Sequence, residues 1–218
     1  MTSTQPPKAA EPRRRGRYLE AGRNDVRILA AAREVFIENP AAPISAVASR
    51  AGVGIAALYH RFPSKNALLG QLCLDGQDVY IELVAKALAS DGDPWTAYTQ
   101  FLRDIVAADT HALTVHLAGT FTPDERHQER TDRMIAATIA LFERVQVAGH
   151  FREGLTYLDV AFLLELLAKT RLGSTKRSAE LKQRQLAIII DGLCSRNRAN
   201  LPATAPSWKE QEERWTTS

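Results

Sequence analysis

The sequence is poor in cysteine and has no long apolar run, and each absence excludes a class of protein. The two cysteines, Cys73 and Cys194, are too far apart in sequence to indicate a metal site or a disulfide framework. No apolar stretch approaches the ~20 residues that a membrane helix requires. Residues 1–17 are basic but lack the apolar run of a secretory signal. The composition therefore predicts a cytoplasmic protein that does not span a membrane.

The motifs of common enzyme chemistries are also missing. The sequence contains no Gly-x-Ser-x-Gly, no Gly-x-x-x-x-Gly-Lys, no His-Glu-x-x-His and no Cys-x-x-Cys. The histidines are dispersed, and the spacing of His111 and His116 is poor for two metal ligands on one helical face. We therefore expect no catalytic residues, no metal site and no cofactor. A helical enzyme or a small-molecule carrier stays an alternative.

Hydrophobic residues make up 45% of the sequence, which is enough for a substantial core.

Positive charge is concentrated in the first third of the chain. Residues 1–65 contain 11 Lys and Arg against 5 Asp and Glu, whereas residues 66–218 contain 17 against 20. A basic region of this kind is typical of a surface that binds nucleic-acid phosphates. The alternative is a basic arm that only keeps the chain in solution.

The segment 44–65, ISAVASRAGVGIAALYHRFPSK, predicts two short helices joined by a tight turn. The apolar residues of the first helix recur at i, i+3, i+4 and i+7 and are Ile44, Val47, Ala48 and Ala51. Gly52 supplies the positive φ that a helix C-terminus commonly needs. The second helix runs to Phe62, before Pro63, with Leu58 and Phe62 facing inward. This pattern fits a DNA-binding helix-turn-helix or a plain helical hairpin.

The detailed sequence of this segment favours the first interpretation. The run AGVGIAALYHRFPSKNALL resembles the signature of the TetR (tetracycline repressor) family of bacterial regulators, approximately A-G-V-S-x-G-T-L-Y-x-Y/H-F-x-S/T-K-x-x-L. The matching residues are Ala51, Gly52, Val53, Leu58, Tyr59, Phe62, Ser64, Lys65 and Leu68. The departures are Gly54, Ala56, Ala57 and Arg61. The resemblance is specific for the N-terminal third only.

The resemblance implies a recognition helix that begins after Val53. Its expected DNA contacts are at or near Gly54, Ile55, Ala56, Ala57, Tyr59, His60 and Arg61. Tyr59 and Lys65 would each bind a phosphate, which positions the protein without reading the base sequence. Ile55 and Ala57 could pack on thymine methyl groups, while His60 and Arg61 are candidates for base edges. For Arg61, a phosphate contact is the alternative.

Residues outside the recognition helix extend the predicted DNA surface. Residues 1–19 lack periodicity, so we expect a flexible basic arm from which Arg15 and Arg17 could order on DNA; a solvated tail is the alternative. A first helix is expected from about Arg23 to Glu38. Ser45 starts the next helix, where its hydroxyl could reach a phosphate, although capping the helix is the preferred role.

The remaining pattern predicts helices throughout and therefore an all-α chain. A helix-turn-helix DNA-binding domain is expected at 20–82, with the motif at 44–62. A long helix, capped by Ser64 and running from 66 to about 90, connects it to a helical regulatory and dimerisation domain at 83–200. Residues 201–218 are expected to be a flexible tail. The other helices are predicted at 95–109, 111–120, 123–148, 158–172 and 178–197.

The second domain contains residues that could line a cavity between helices of mixed length. These candidate ligand-binding residues are Trp95, Tyr98, Phe101, His116, Phe121, Met134, Thr138 and Phe142. From the residues alone, a filled core is the favoured alternative. The family resemblance implies a small apolar or amphipathic ligand at this place. A regulator with an unused or very small pocket is a further alternative.

The last two helices are apolar on more than one side, which predicts burial on both sides. The resemblance implies that they pair with their copies in a four-helix bundle of a homodimer; an intramolecular core is the alternative. It further implies binding to a pseudo-palindromic double-stranded operator. We expect a repressor that a small-molecule ligand releases from DNA. A ligand-independent architectural DNA-binding protein is the competing interpretation.

Overall fold

The computed structural model describes residues 12–109, 120–170, 172–196 and 199–211. Within these ranges the chain forms helices and no β-strand, which confirms the all-α prediction. The principal helices are α1 (Pro12–Glu38), α2 (Ile44–Ala51), α3 (Ile55–Arg61), α4 (Lys65–Leu88), α5 (Pro94–Ala108), α6 (Glu125–Val147), α7 (Tyr157–Lys169) and α8 (Thr175–Leu193). None of the helices in these ranges has the length and hydropathy needed to cross a membrane.

The chain divides into two compact units, residues 1–68 and residues 69–218. The predicted domain boundary at 82 lies further along α4. The division after residue 68 has a packing reason, because Tyr80, Val84 and Ala87 of α4 are buried in the core of the second unit. The beginning of α4 and its remainder therefore serve different cores.

The first unit is a three-helix core closed by the beginning of α4. The apolar stripe of α1, which includes Ile28, Ala32 and Phe36, is buried, as are Val47 of α2 and Leu58 of α3. The buried apolar residues of this unit are Ile28, Ala31, Ala32, Val35, Phe36, Ala42, Ile44, Val47, Ala48, Ala51, Leu58, Phe62 and Leu68. Burial of this face, rather than intrinsic propensity, stabilises the short α2 and α3.

The core of the second unit is rich in aromatic rings. Phe142 and Phe151 stack with centroids 4.5 Å apart, and Tyr98 meets Phe151 edge to face at 5.1 Å. Leu164 of α7 and Leu186 of α8 close the same cluster from the C-terminal helices. Aromatic pairs in these geometries add to the free energy of area burial.

Several predicted boundaries are wrong, α1 most clearly. The helix begins at Pro12, so residues 12–19 are not the flexible arm that was expected. Proline suits the first turn of a helix, and the Arg, Leu and Glu residues that follow are good helix formers. The apolar periodicity starts only at Ile28. Apolar periodicity therefore could not indicate that α1 extends back to Pro12.

The later helices shift by a few residues because polar caps set their starts. Asp124 caps α6 through its own carboxylate, so Pro123 stays outside the helix that it was expected to begin. Ser174 caps α8, which begins before the predicted residue 178. The helix predicted at 111–120 lies, except for its last residue, outside the described residues.

The predicted flexible tail at 201–218 is also partly wrong. Residues 208–211 are helical, and Ser207 accepts a hydrogen bond from the backbone N–H of Glu210. The indole of Trp208 stacks on the ring of Tyr157 with centroids 5.9 Å apart. A segment whose composition is that of a linker therefore has local hydrogen bonds and an aromatic contact with α7.

Candidate nucleic-acid interface

The recognition helix α3 is anchored by two apolar residues and exposes the rest. Leu58 is fully buried and Phe62, the C-cap, is nearly so. Tyr59 is 46% exposed. The residues predicted to contact DNA around this helix are all exposed, namely Gly54, Ile55, Ala56, Ala57, Tyr59, His60 and Arg61. The structure therefore leaves every predicted contact of α3 accessible.

A tight turn sets the angle between α2 and α3. Gly52 has φ +63°, in the left-handed region, and its backbone N–H donates to carbonyls of the last turn of α2. Arg27 of α1 donates from Nη2 to the carbonyl of Ala51 at 2.6 Å. A Cβ at position 52 would lie 2.9 Å from that same Nη2. The turn thus requires glycine for its backbone conformation, and a Cβ there would also displace the Arg27 guanidinium.

Arg27 is a positioning residue that sequence reasoning missed. Its guanidinium places positive charge at the C-terminus of α2, where the helix dipole is negative. The contact joins residues 24 positions apart in sequence. No local motif marks such a contact, because it depends on how α1 packs against α2.

Arg61 is held by an acidic residue of α1. Its Nε donates to Oδ2 of Asp25 at 2.8 Å, and the arginine side chain is 59% exposed. Sequence reasoning placed Arg61 at a base edge or a phosphate and considered Asp25 only as a residue that could start the first helix. In the structure without DNA, the guanidinium already has a carboxylate partner.

Lys65 also has protein partners. Its ammonium donates to the carbonyls of Pro40 and Ala42, each at 2.8 Å, and lies 5.0 Å from the centroid of the Phe36 ring. An ammonium has three N–H donors, so these bonds leave one for a phosphate. Lys65 therefore connects the start of α4 to the α1–α2 loop, a role that the sequence motif did not indicate.

The predicted capping role of Ser45 is wrong. The helix α2 begins at Ile44 with Pro43 as N-cap, and no side chain caps it. Ser45 thus lies inside the first turn, two positions after the N-cap, and its side chain is exposed. Arg15 and Arg17 lie in α1, and their side chains are outside the part of the chain that the structure describes.

The candidate ligand-binding residues fall into three groups in the second unit. Tyr98, Phe101, Thr138 and Phe142 are buried together in its core. Trp95 and Met134 pack partly buried against that core, whereas Phe121 contacts the ring of His127 instead. His116 lies outside the described residues. Within the described ranges, no group of three or more His, Cys, Asp or Glu could hold a metal ion.

The last two helices expose apolar side chains. Leu166 of α7 is 65% exposed and Ile188 of α8 is 67% exposed. Both helices also bury an inner face, through Leu164, Leu167, Leu186 and Ile190. Two-sided apolar character was expected for these helices, and one of the two sides is occupied by the unit's own core.

Family models match both parts of the chain. One described as bacterial regulatory proteins of the tetR family matches residues 28–72. Another, described as the C-terminal domain of SbtR-like transcriptional regulators, matches residues 93–195. A comparison with curated proteins gives no match.

Solved structures with a similar fold cover most of the chain. A TetR transcriptional regulator from Streptomyces coelicolor is 26% identical and has a TM-score of 0.56, with 78% of this chain and 98% of that chain covered. A TetR regulatory protein from Mycobacterium vanbaalenii is 26% identical, with a TM-score of 0.55 and coverage of 81% and 98%. LfrR from Mycobacterium smegmatis, solved with proflavine, is 17% identical, with a TM-score of 0.53 and coverage of 76% and 95%. The last likeness shows the fold alone.

Proposed function

The chain belongs to the TetR family of DNA-binding transcription regulators, which are not enzymes, and we propose that it is a homodimeric repressor released from its operator by a small molecule. The observation that carries the proposal is the exposed surface of α3, on which every predicted contact of that helix is accessible. The acidic balance of residues 66–218 disfavours DNA contact elsewhere.

Two copies of α3 would enter successive major grooves on one side of a pseudo-palindromic site. This docking requires a separation of about one DNA turn, roughly 34–36 Å. The phenol of Tyr59 would donate to a phosphate oxygen and so position the helix. Ile55 and Ala57 would pack against thymine methyl groups, and His60 would reach a base edge. Sequence preference therefore depends on α3, and affinity also depends on the phosphate contacts.

The exposed apolar side chains of α7 and α8 support dimerisation through these two helices. Leu166 and Ile188 lie on the outer faces of adjacent helices, opposite the faces that fill the unit's own core. Exposed large apolar residues that share one surface commonly mark a protein–protein interface. Pairing of the two helices with their copies would bury these residues and place two α3 helices in one particle.

Release by a ligand would require that the ligand and DNA favour different separations of the two recognition helices. By linkage, DNA must then weaken ligand binding by the same factor. The LfrR structure with proflavine shows that one protein of this fold holds a planar aromatic compound. Because its target is DNA, we propose that the protein acts in the cytoplasm. A ligand-independent architectural role is the second candidate, favoured by how completely the aromatic core is filled.

Operator selection from random duplexes, at physiological salt with excess competitor DNA, tests the proposal. We expect a pseudo-palindromic site whose half-sites are about one helical turn apart. Tyr59→Phe should weaken binding to every selected sequence alike, whereas Ile55→Ala should change the preferred bases. Recovery of no preferred sequence would contradict a sequence-specific repressor. Selection of an operator from which extracts or compound libraries never release the protein would favour the architectural role.

A further inference from the structure

The carbonyl groups at the end of α2 are paired in two different ways. The backbone N–H of Gly52 donates to the carbonyl of Ser49 at 3.2 Å, and that of Val53 donates to the carbonyl of Ala48 at 3.1 Å. This pair of bonds is the Schellman motif, which commonly ends a helix at a glycine. The motif supplies no donor for the carbonyl of Ala51, a residue that is only 5% exposed. A buried carbonyl without a partner destabilises the fold, so this group requires a donor from elsewhere in the chain.

Arg27 of α1 supplies that donor. Its Nη2 lies 2.6 Å from the carbonyl oxygen of Ala51 and 3.5 Å from that of Gly52, so both acceptors belong to the backbone of the turn. A charged donor makes a stronger hydrogen bond than a neutral one. The next residue, Ile28, is 2% exposed in the core of the first unit, and this burial fixes the part of α1 from which Arg27 extends. Arg27 therefore ties the turn to a firmly packed part of α1.

The first half of α3 has no anchor of its own. Its N-cap is Gly54, and no side chain caps the helix there. The residues from Gly54 to Ala57 are all exposed, and the first buried side chain of the helix is Leu58. The position of these leading residues therefore depends on the backbone that precedes them, which is the turn held by Arg27.

This leading half of α3 is also the part whose position matters most for reading bases. Ile55 and Ala57 have short side chains, and contact with thymine methyl groups requires heavy atoms to approach within about 4.5 Å. Phosphate contacts depend less on position, because attraction between charges acts over about 8 Å at physiological salt. A loosened turn should therefore reduce discrimination between sequences more than it reduces binding to DNA in general.

We propose that Arg27 is a specificity-determining residue of the DNA-binding unit, which holds the α2–α3 turn so that Ile55 and Ala57 meet the bases and which does not itself bind DNA. The inference rests on the proposed operator binding and assigns a further residue to it. A phosphate contact is the competing role, because Arg27 is exposed and a guanidinium has several N–H donors. The two roles differ in their salt dependence, since only a phosphate contact releases counterions.

The experiment compares Arg27→Met with Arg50→Met, which removes one positive charge from the last turn of α2. Arg50 donates to the carboxylate of Glu34 at 2.7 Å, so its variant controls for the loss of charge. Fluorescence anisotropy measures the affinity of each protein for the selected operator and for a scrambled duplex of equal length, over a series of salt concentrations. The temperature is one at which circular dichroism shows every variant to be folded.

Arg27→Met should weaken operator binding about 10-fold, comparable with the loss of one base-pair contact, and should weaken binding to scrambled DNA by less than about 2-fold. The slope of log operator affinity against log salt concentration should not change. Arg50→Met should keep the ratio of the two affinities. If Arg27→Met makes the slope less steep by about one unit and weakens both duplexes alike, Arg27 binds a phosphate and the proposal is wrong. An unchanged ratio in Arg27→Met would also overturn it.

Hydrogen exchange of the free protein tests the turn without DNA. The amides of Gly52 and Val53 should exchange about 10-fold faster in Arg27→Met than in the wild type, while those of α5 should not change. Equal exchange at the turn would show that the guanidinium does not hold it. If Arg27→Met does not fold, Arg27→Lys takes its place, because it keeps the charge but not the planar guanidinium. The ratio of operator to scrambled affinity should then fall in the same direction.

These outcomes are separable from those of operator selection. A wild-type protein that selects an operator, with an Arg27→Met variant that discriminates equally well, would leave the proposed function standing and remove this inference. A wild-type protein that selects no operator would remove the proposed function, and faster exchange at the turn would then leave Arg27 a structural role alone.

Discussion

Asp25 and Arg61 form an ion pair that joins α1 to the last turn of the recognition helix, with Nε and Oδ2 2.8 Å apart. The pair holds the one guanidinium on α3 against the protein in the absence of DNA. A carboxylate at this place also opposes phosphates in its neighbourhood. Asp25 is therefore positioned to limit what Arg61 contributes to DNA binding.

Removal of the Asp25 charge should increase operator affinity. We expect Asp25→Asn to strengthen binding about 3–10-fold and to steepen the salt dependence by up to one unit of slope, since a freed arginine adds one phosphate contact. In an Arg61→Met background the same substitution should have a much smaller effect. Fluorescence anisotropy over a series of salt concentrations measures both quantities.

A matched control separates this restraint from net charge. Glu34→Gln also removes one carboxylate from an arginine pair in the first unit, because Glu34 binds Arg50 at 2.7 Å. Both pairs are at least partly exposed to solvent, so neither change should alter the stability of the fold by more than about 1 kcal/mol. If the two variants raise affinity equally, general electrostatics explain the gain and the restraint by Asp25 is refuted.

Lys65 should contribute to stability as well as to DNA binding. Lys65→Met removes two charge-assisted hydrogen bonds to the carbonyls of Pro40 and Ala42, and should lower the free energy of unfolding by about 1–3 kcal/mol. Urea denaturation followed by circular dichroism measures this loss. Lys86→Met, in the exposed last turn of α4, is the control and should be nearly neutral.

DNA titrations of the same variant test the predicted phosphate contact of Lys65. We expect the slope of log affinity against log salt concentration to become less steep by about one unit. A flattened slope with unchanged stability would show that the contacts with Pro40 and Ala42 do not matter energetically. Lost stability with an unchanged slope would show that Lys65 has a structural role alone.

Substitution of an exposed leucine or isoleucine on the outer faces of α7 and α8 by glutamate should prevent dimerisation. Leu166→Glu and Ile188→Glu would each place an unpaired carboxylate in the proposed interface, at a cost that favours the monomer. Light scattering after size exclusion at micromolar concentration should then report half the wild-type mass. Val147→Glu, at a residue 90% exposed near the end of α6, should leave the mass unchanged. A monomeric Val147→Glu variant would show that the interface lies elsewhere.

The cap of α6 should make stability depend on pH in the acid range. Hydrogen bonds from Arg126, and then from His127, hold the pKa of Asp124 well below its ordinary value. The stabilisation is therefore complete above the ordinary carboxyl pKa of about 4 and is lost as the pH falls towards the lowered value. Asp124→Asn keeps a capping oxygen and removes the charge.

We expect the Tm difference between Asp124→Asn and wild type to be largest near neutral pH and to shrink below about pH 4. Differential scanning calorimetry from pH 7 to pH 3 measures it. Asp132→Asn, on the same helix, controls for the general effect of removing a carboxylate. A difference that stays constant over this range would mean that the charge of Asp124 does not stabilise the cap.

Local rules were sufficient where neighbouring residues decide the structure. The turn at Gly52, the inward faces of Leu58 and Phe62, and the stop at Pro63 follow from backbone conformation and helical periodicity. The Ser64 cap is confirmed by the hydrogen bond that its hydroxyl accepts from Ala67. Local rules failed for the start of α1, where residues 12–27 carry no apolar stripe, and for Trp208, which stacks on the distant Tyr157.

The sequence by itself determined the helical class, the motif at 44–62 and the basic character of the surface that presents it, because spacing and charge are properties of neighbouring residues. Only the tertiary structure decided the partners of the functional side chains. The contacts of Arg61 with Asp25, of Lys65 with the α1–α2 loop and of Arg27 with the end of α2 all join segments that are distant in sequence. Such contacts are set by how helices pack, and helical periodicity shows which face packs but not against which residue.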